Sequence, residues 1–473
     1  MASFGRRKIL LDVGRVHEGN VLDVLKRALE VHRLNSKECQ HLIDYYKGKQ
    51  GILDRTKAVR EEINNKILIN HANEIVSFKV SYLLSEPIAY VTRGGGNAAE
   101  KVNALNEMMY LNNKAARDKE IADDFTICGQ AYRMVLPNKA EGDDEPPFKV
   151  YTLDPQCTFV VYNSGLGEEP ICAVKYVSIP DMFGDSAKEP TFDTVYSIYT
   201  PDMYFEVKND ILQTEKTKHH SLGMVPIFEY MNNNARLGAF EVVETILDAI
   251  NTLASNRVDA TEQVVQALMV FVNCEIDSDQ YDEMRKKGAV KIKSVDGATS
   301  DIKLLTADFK QADQQVLTDA LYNIMLKITG MPTQASETSS DSSNNGAMIV
   351  KNGWFHAEAR AKDTELLWRE AEGNFLKLVL KICRETGDLD IKLSEFTPKF
   401  SRKNYEDVQT KSQVLTAMLA TDKIAPRLAF AHCGLFVDSE SAYSESKEWY
   451  EASMVREEEK LPDETILVED EQT

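Results

Sequence analysis

The sequence predicts an α+β fold, mostly helical, with one β-rich region near its middle. Three observations carry this. Apolar residues recur at three- and four-residue steps over 20–48, 60–84, 98–127, 238–268 and 309–329. Between 128 and 230, six short runs rich in β-branched and aromatic residues are separated by Pro, Asp, Gly and Asn. From Ala347 to Thr386 one further helical pattern continues without a break, long enough to span about 60 Å at the rise of an α-helix.

In order, Leu22, Val24, Leu25, Leu29 and Val31 mark a first helix, and Asn35-Ser36 reads as the cap of a second through Leu42, Ile43 and Tyr46. Ile63, Ile67, Ile75, Phe78, Val80 and Leu83 predict an amphipathic helix over 60–84, ended by Pro87. IAYVT (88–92) reads as a strand before Gly94-Gly95-Gly96. The runs AYRMVLP, FKVYTLDP, TFVVYN, ICAVKYV, TVYSIYT and MYFEVKN predict an antiparallel-leaning sheet domain, with GDDEPP (142–147) as a hairpin tip.

Beyond 238 the helical period returns. Val243, Ile246, Leu247, Ile250, Leu253 and Ala254 share one face, and Glu244, Asp248, Asn251, Ser255, Asp259 and Glu262 lie opposite. A strand-and-turn segment (270–306) holds a basic cluster of Arg285, Lys286, Lys287, Lys291 and Lys293. A helix then runs through Val316, Leu317, Ala320, Leu321, Ile324, Met325 and Ile328 to Thr329-Gly330. The polar run TQASETSSDSSNN (333–345) precedes the long helix, on which Phe355, Leu367, Ala371, Phe375, Leu378 and Ile382 share a face. DIKLSEF and PKFSRK read as a strand pair, shorter helices fill 405–456, and 457–473 is an acidic tail expected to be disordered at its end.

A length of 473 residues fits about three domains. No stretch reaches the ~18 consecutive apolar residues of a membrane span, and the apolar run after Arg6, Arg7 and Lys8 stops at Asp12, too short for a signal peptide. Seven cysteines without a CxxC pair fit a reducing, cytoplasmic setting. The net charge of −20 argues against a protein that grips nucleic acid, since phosphate contacts need Lys and Arg, but not against one that surrounds DNA.

Chemistry is absent from the motifs. GGGNAAEK (94–101) lacks the Lys-Ser/Thr of a phosphate loop, and neither GxSxG nor a strand–GxGxxG–helix fingerprint occurs. His219-His220 has no further ligand at metal-binding spacing. Asp123-Asp124 and Asp143-Asp144 are adjacent pairs, which on a helix do not face one another. No catalytic residue, cofactor or metal ligand is assigned.

Several stretches resemble the portal proteins of tailed double-stranded-DNA bacteriophages, in the branch found in long-tailed phages of Gram-positive hosts. They are YYKGKQGIL (45–53), NNKILINHANEIVSFKVSYLLSEPIAY (64–90), CGQAYRMVL (128–136), LDPQCTFVVY (153–162) and HSLGMVPIFEYMNNN (220–234), followed by FEVVETILDAINTLASNRVDA. TGMPTQASE…NNGAMIVKNGWFHAEAR adds a less exact match, and the likeness runs from about 39 to 435. The Ser-rich 336–345 and the acidic tail depart from the family pattern.

The resemblance implies a portal fold with wing, stem, clip and crown, assembled as a ring of twelve around a central channel at one capsid vertex of the virion, built in the host cytoplasm. It maps 1–235 to the wing, 236–269 and 307–330 to the stem, 270–306 to the clip and 331–346 to a tunnel loop. Residues 347–404 would be a long wing helix with closing strands, 405–456 the crown and 457–473 the tail. The implied partners are double-stranded DNA, the terminase large subunit, the head-tail adaptor, and the major capsid and scaffolding proteins.

The resemblance further implies DNA-facing loop residues Thr333, Gln334, Ser336, Thr338, Ser339, Ser340, Asn344 and Asn345. Glu244, Asp248, Asp259 and Glu262 would face the lumen, and Arg285, Lys286, Lys287, Lys291 and Lys293 would meet a partner at the clip. Leu247, Ile250, Leu321 and Ile324 would pack between subunits. Two alternatives stay open on the residues alone: a phage DNA-processing enzyme, nuclease or motor component, and a non-channel α+β scaffold. A solvated polar face explains the acidic stripe without any further role.

Overall fold

A computed structural model describes residues 5–458, except 59–60, 94–97, 140–144, 181–191, 266–267, 273, 276–292, 295–300, 306–310, 334–352, 403–407, 422 and 437. The chain opens with β1 (Ile9–Leu11), α1 (Val21–Tyr46), α2 (His71–Leu83), β2 (Ala89–Thr92), α3 (Ala98–Leu111) and α4 (Lys114–Cys128). Strands follow: β3 (Gln130–Pro137), β4 (Phe148–Leu153), β5 (Thr158–Asn163), β6 (Pro170–Pro180), β7 (Phe192–Tyr199), β8 (Met203–Lys208), β9 (Ile211–Leu212), β10 (Lys218–His219) and β11 (Ile227–Met231). Then come α5 (Glu244–Val265), β12 (Leu268–Val272), β13 (Cys274–Glu275), β14 (Lys293–Ser294), β15 (Asp301–Leu305) and α6 (Gln311–Thr329). The chain closes with α7 (Trp354–Thr386), β16 (Phe396–Lys399), α8 (Val408–Leu419), α9 (Pro426–His432) and α10 (Ser439–Glu458). The α+β class holds.

Two compact units result. The first comprises residues 1–43, 75–241 and 330–473. Its seven-stranded sheet runs β1-β5-β6-β7-β8-β10, with β9 paired to β8; β1 lies parallel to β5 and the other pairs are antiparallel. Strand alternation sends Phe159 and Val161 to one face, where Val21, Val24, Leu25, Ala28 and Leu29 of α1 cover them at helical spacing. Val160, between those two, joins Tyr132, Met134, Val225 and Ile227 in a second cluster. Burial on both faces is why TFVVYN reads as an unbroken apolar run.

Strand β3 lies between β11 and β4 in a three-stranded antiparallel sheet. The turn from α4 into β3 is made by Gly129 at φ +82, where any Cβ would sit 2.1 Å from the Arg236 carbonyl oxygen, so only glycine fits. Helix α7 buries Ala357, Ala361, Trp368, Ala371, Phe375, Leu378, Val379 and Ile382 and spans 33 residues, about 50 Å. Phe355 departs from the expected face and is 69% exposed.

Three local expectations give way to longer-range contacts. Helix α1 is unbroken, because Asn35 does not cap: its Oδ1 accepts the Arg7 N–H and its Nδ2 donates to the Arg7 carbonyl. Asn113 at φ 53 instead breaks the segment 98–127 into α3 and α4. The closing strand β16 pairs antiparallel with β2, while Leu393–Glu395 forms a single 3-10 turn, so DIKLSEF and PKFSRK are not a strand pair.

The second unit comprises residues 44–74 and 242–329. Helices α5 and α6 pack together, and β12 pairs antiparallel with β15, and β13 with β14. Residues 64–70 contain no helix, contrary to the helix expected from 60 onward; α2 begins at His71.

Candidate functional site

The feature that organises the second unit is the polar face of α5. Asn251 Oδ1 accepts the Ile69 N–H at 2.8 Å, Ser255 Oγ the Ile67 N–H at 2.9 Å, and Asp259 Oδ1 the Asn65 N–H at 2.7 Å. Four helical residues advance about 6.0 Å, and two residues of extended chain about 6.6 Å. Polar side chains at every fourth helix position therefore meet the amides of alternate residues in NNKILIN, which runs antiparallel to the helix. The seam gives backbone donors in 65–69 the partners that a sheet would otherwise provide.

Both ends of the seam are reinforced. Asn251 Nδ2 donates to Gln50 Oε1 at 2.6 Å, and Gln50 Nε2 donates to the Tyr45 carbonyl at 3.2 Å. The Tyr45 hydroxyl donates to Asp248 Oδ1 at 2.9 Å, and burial, then the Asp248 charge, pushes that phenol far above its ordinary value. At the other end Asp259, 2% exposed, pairs through Oδ2 with Lys57 Nζ at 2.5 Å and Arg55 Nη1 at 3.1 Å. Burial alone would raise the Asp259 carboxyl, but hydrogen bonds from Lys57 and Asn65 outweigh it and hold it below the usual range. Asn65 Nδ2 also donates to Glu262 Oε2 at 2.8 Å.

Helix α6 has two sides. Met325 and Leu326 are buried, and the Tyr322 hydroxyl donates to Glu74 Oε1 at 2.6 Å. Val316, Leu317, Ile324 and Ile328 are exposed at 68%, 48%, 45% and 44%, with Leu321 half-buried between them. Leu317, Leu321, Ile324 and Ile328 follow four-, three- and four-residue steps, so they form one apolar stripe.

Past α6, Gly330 turns the chain at φ +72. Thr333 and Gly353 come together: a Cβ on Gly353 would lie 3.8 Å from the Thr333 nitrogen. The described residues on either side of 334–352 thus lie next to one another. Among the described residues, no group of three or more His, Cys, Asp or Glu side chains could hold a metal ion, and no helix is long and apolar enough to cross a membrane.

The model of a phage portal protein family, SPP1 Gp6-like, matches residues 25–458. The chain belongs to the phage portal protein family. No curated protein matches the sequence. Among solved structures, a chain from the virion of a native gene transfer agent (GTA) particle is similar, at 10% identity and a TM-score of 0.44, over 84% of this chain and 94% of that one.

Within this portal chain two sets of expected residues need correction. Asp259 does not face a lumen, because it is buried against Arg55, Lys57 and Asn65 of its own chain. Glu262 is half-buried and engaged by Asn65; Glu244 is half-buried, and Asp248, though exposed, is bound by Tyr45. Leu247 and Ile250 do not await a neighbouring subunit: each is 1% exposed in the single chain. Leu321 and Ile324 lie on the open stripe of α6.

Of the loop residues, Thr333 is described and half-buried, while Gln334, Ser336, Thr338, Ser339, Ser340, Asn344 and Asn345 lie outside the described residues. Arg285, Lys286, Lys287 and Lys291 also lie outside them; Lys293 stands on β14 opposite Glu275. Sequence reasoning missed Arg55, Lys57 and the amides of 65–69. The available signal was the Asn64-Asn65 pair before ILI, which suits an extended start better than a helix interior.

Proposed function

We propose that this chain is a structural portal protein assembling as a twelve-membered ring at one capsid vertex. Double-stranded DNA passes its central channel during packaging and ejection. The ring docks first the terminase large subunit and then the head-tail adaptor, with capsid and scaffolding proteins around it. The observation that carries this reading is the family match across residues 25–458. The apolar stripe on α6 supports a ring, since a heterologous contact repeated around an axis must cover one face of every subunit.

In this reading α5 and α6 form the stem, 270–306 the clip and 331–346 the loop at the constriction. Ser, Thr and Asn of the loop touch phosphate without the salt-dependent grip of Lys or Arg. Glu244 and Asp248 remain the acids available to the channel wall, where like charge keeps the duplex centred. The clip lysines and arginines meet an acidic partner face.

The test is native mass spectrometry of the purified chain with negative-stain images of the same sample. About twelve chains around an axial hole support the reading, as does absence of ATP hydrolysis and DNA cleavage with magnesium. A closed dimer at every concentration and salt overturns it.

A further inference from the structure

Lys79 on α2 and Arg360 on α7 line one narrow cleft in the first unit, with Thr126, Asn232 and Thr364 beside them and Gly330 at the edge. Among the described residues neither cation has a carboxylate partner. On α7, Glu358 is engaged with Arg402 at 3.0 Å, and Glu365 with Arg402 at 2.8 Å and Arg369 at 2.5 Å, while Asp363, three residues past Arg360, is exposed and forms no ion pair with it. By contrast, the buried cations Arg133, Arg236 and Lys114 of this unit are each held by an acid.

Lys79, half-buried, and Arg360, exposed at the rim, put two like charges on the lining of this cleft with no carboxylate paired to either among the described residues. Burial, and then the Arg360 charge, holds the Lys79 ammonium down at about 8. Such a pair is destabilising alone and becomes favourable when an anion bridges it. The cleft has a volume of 40 Å³, room for about three water-sized groups. That suits one oxyanion and excludes a whole nucleotide or an aromatic ligand. Lysine supplies a point charge and arginine a planar fork, the two donor types that grip phosphate oxygens.

We propose that the Lys79–Arg360 cleft binds one external phosphate-class oxyanion. Free phosphate and a DNA phosphodiester present the same oxygens. The site itself does not depend on the portal reading, and only the DNA source does.

Trp354 reports on the site, because its ring stands 6.0 Å from Phe78 and 5.8 Å from Tyr82, which flank Lys79 on α2. Full-length protein is titrated with inorganic phosphate at constant ionic strength, with chloride as reference, while tryptophan fluorescence is followed. A saturable change is expected, weakened about tenfold or more in Lys79→Gln and Arg360→Gln. Both variants melt at or above the wild-type temperature without phosphate, since each removes the repulsion. No saturable change, or one unaltered in the variants, overturns the proposal. A change seen only after Asp363→Asn also overturns it, because the chain's own carboxylate then serves the pair in place of an external anion. With binding established, a short duplex that displaces phosphate identifies the phosphodiester as the source, and one that does not identifies free phosphate. Ring formation, scored separately by native mass, tests the portal reading alone.

Discussion

Arg133 Nη1 and Glu372 Oε2 stand 2.9 Å apart with both side chains 0% exposed, joining β3 to the middle of α7. Around them Lys114 Nζ reaches Glu372 Oε1 at 2.9 Å and Asp118 Oδ2 at 2.7 Å, and Arg133 also pairs with Asp118. The Tyr230 and Tyr90 hydroxyls donate to the two Glu372 oxygens at 2.7 and 2.6 Å. Two cations and two carboxylates cancel. Burial would raise the Glu372 carboxyl, but Lys114 and Arg133 outweigh it and hold it well below the usual range.

Removing one member leaves an uncompensated charge in the core. Glu372→Gln should therefore lower unfolding free energy by about 3–5 kcal/mol, whereas Arg133→Met with Glu372→Leu should restore much of it. Urea unfolding at pH 7 reads both. A double variant no more stable than the single one would show that the cluster's hydrogen bonds, not its charge balance, hold α7 in place.

The seam on α5 gives a local reading. Ser255→Ala removes the acceptor of the Ile67 N–H, which should cost about 1–3 kcal/mol. Hydrogen exchange at the Ile67 amide should accelerate most, with Asn65 and Ile69 following as the segment frays. Unchanged exchange at Ile67 would mean that the segment is held by its side chains alone.

His32 supplies a pH dependence. It is 0% exposed; Nε2 lies 2.9 Å from the Gln156 carbonyl, and Nδ1 has no partner. Burial lowers its value to about 4, against about 6.5 unfolded. Between these values the unfolded chain binds a proton that the folded chain does not, so this residue's contribution declines as pH falls from about 6.5 to about 4, by roughly 3 kcal/mol in all. Asp124 acts oppositely in the same window: burial, then Asp154 and Asp123, holds it up at about 7, so the folded state keeps its proton. The reading is thus the difference between wild type and His32→Phe, measured by urea unfolding at pH 7 and pH 5. His32→Phe should gain relative stability at pH 5, and a difference independent of pH would contradict the account.

Elements whose partners lie close in sequence, or whose burial pattern is complete in itself, were legible. TFVVYN and ICAVKYV pair with each other, and their apolar runs announce strands covered on both faces. Ile63 and Ile67 fit a helix by spacing, yet the amides of 65–69 bond to side chains on α5, 194 residues onward in the case of Asn65 and Asp259. A distant polar face overrides local spacing there, as tertiary contacts override weak propensities elsewhere. Asp259 shows the same limit. On α5 alone it cannot be told from a solvated acid, because Arg55 and Lys57 meet it only through the fold. Asn35 carried a genuine cap signal, but Arg7 uses its amide.

The two apolar faces of the stem candidates separate folding from assembly. Leu247, 1% exposed, is core, so Leu247→Asp puts a charge in the interior and should prevent folding at 37 °C or cost more than about 4 kcal/mol. Ile324, 45% exposed, already meets water in the single chain, so Ile324→Asp should leave the melting temperature of the monomer nearly unchanged. If the α6 stripe lies between subunits, each ring interface loses about 1.5–3 kcal/mol of side-chain burial and gains a buried charge. Ile324→Asp should then give folded monomers, and Leu317→Asp the same, by native mass at concentrations where wild type forms rings. Intact rings from both would place the subunit interface elsewhere than on this stripe. Loss of folding in both would return the stripe to the core of the second unit.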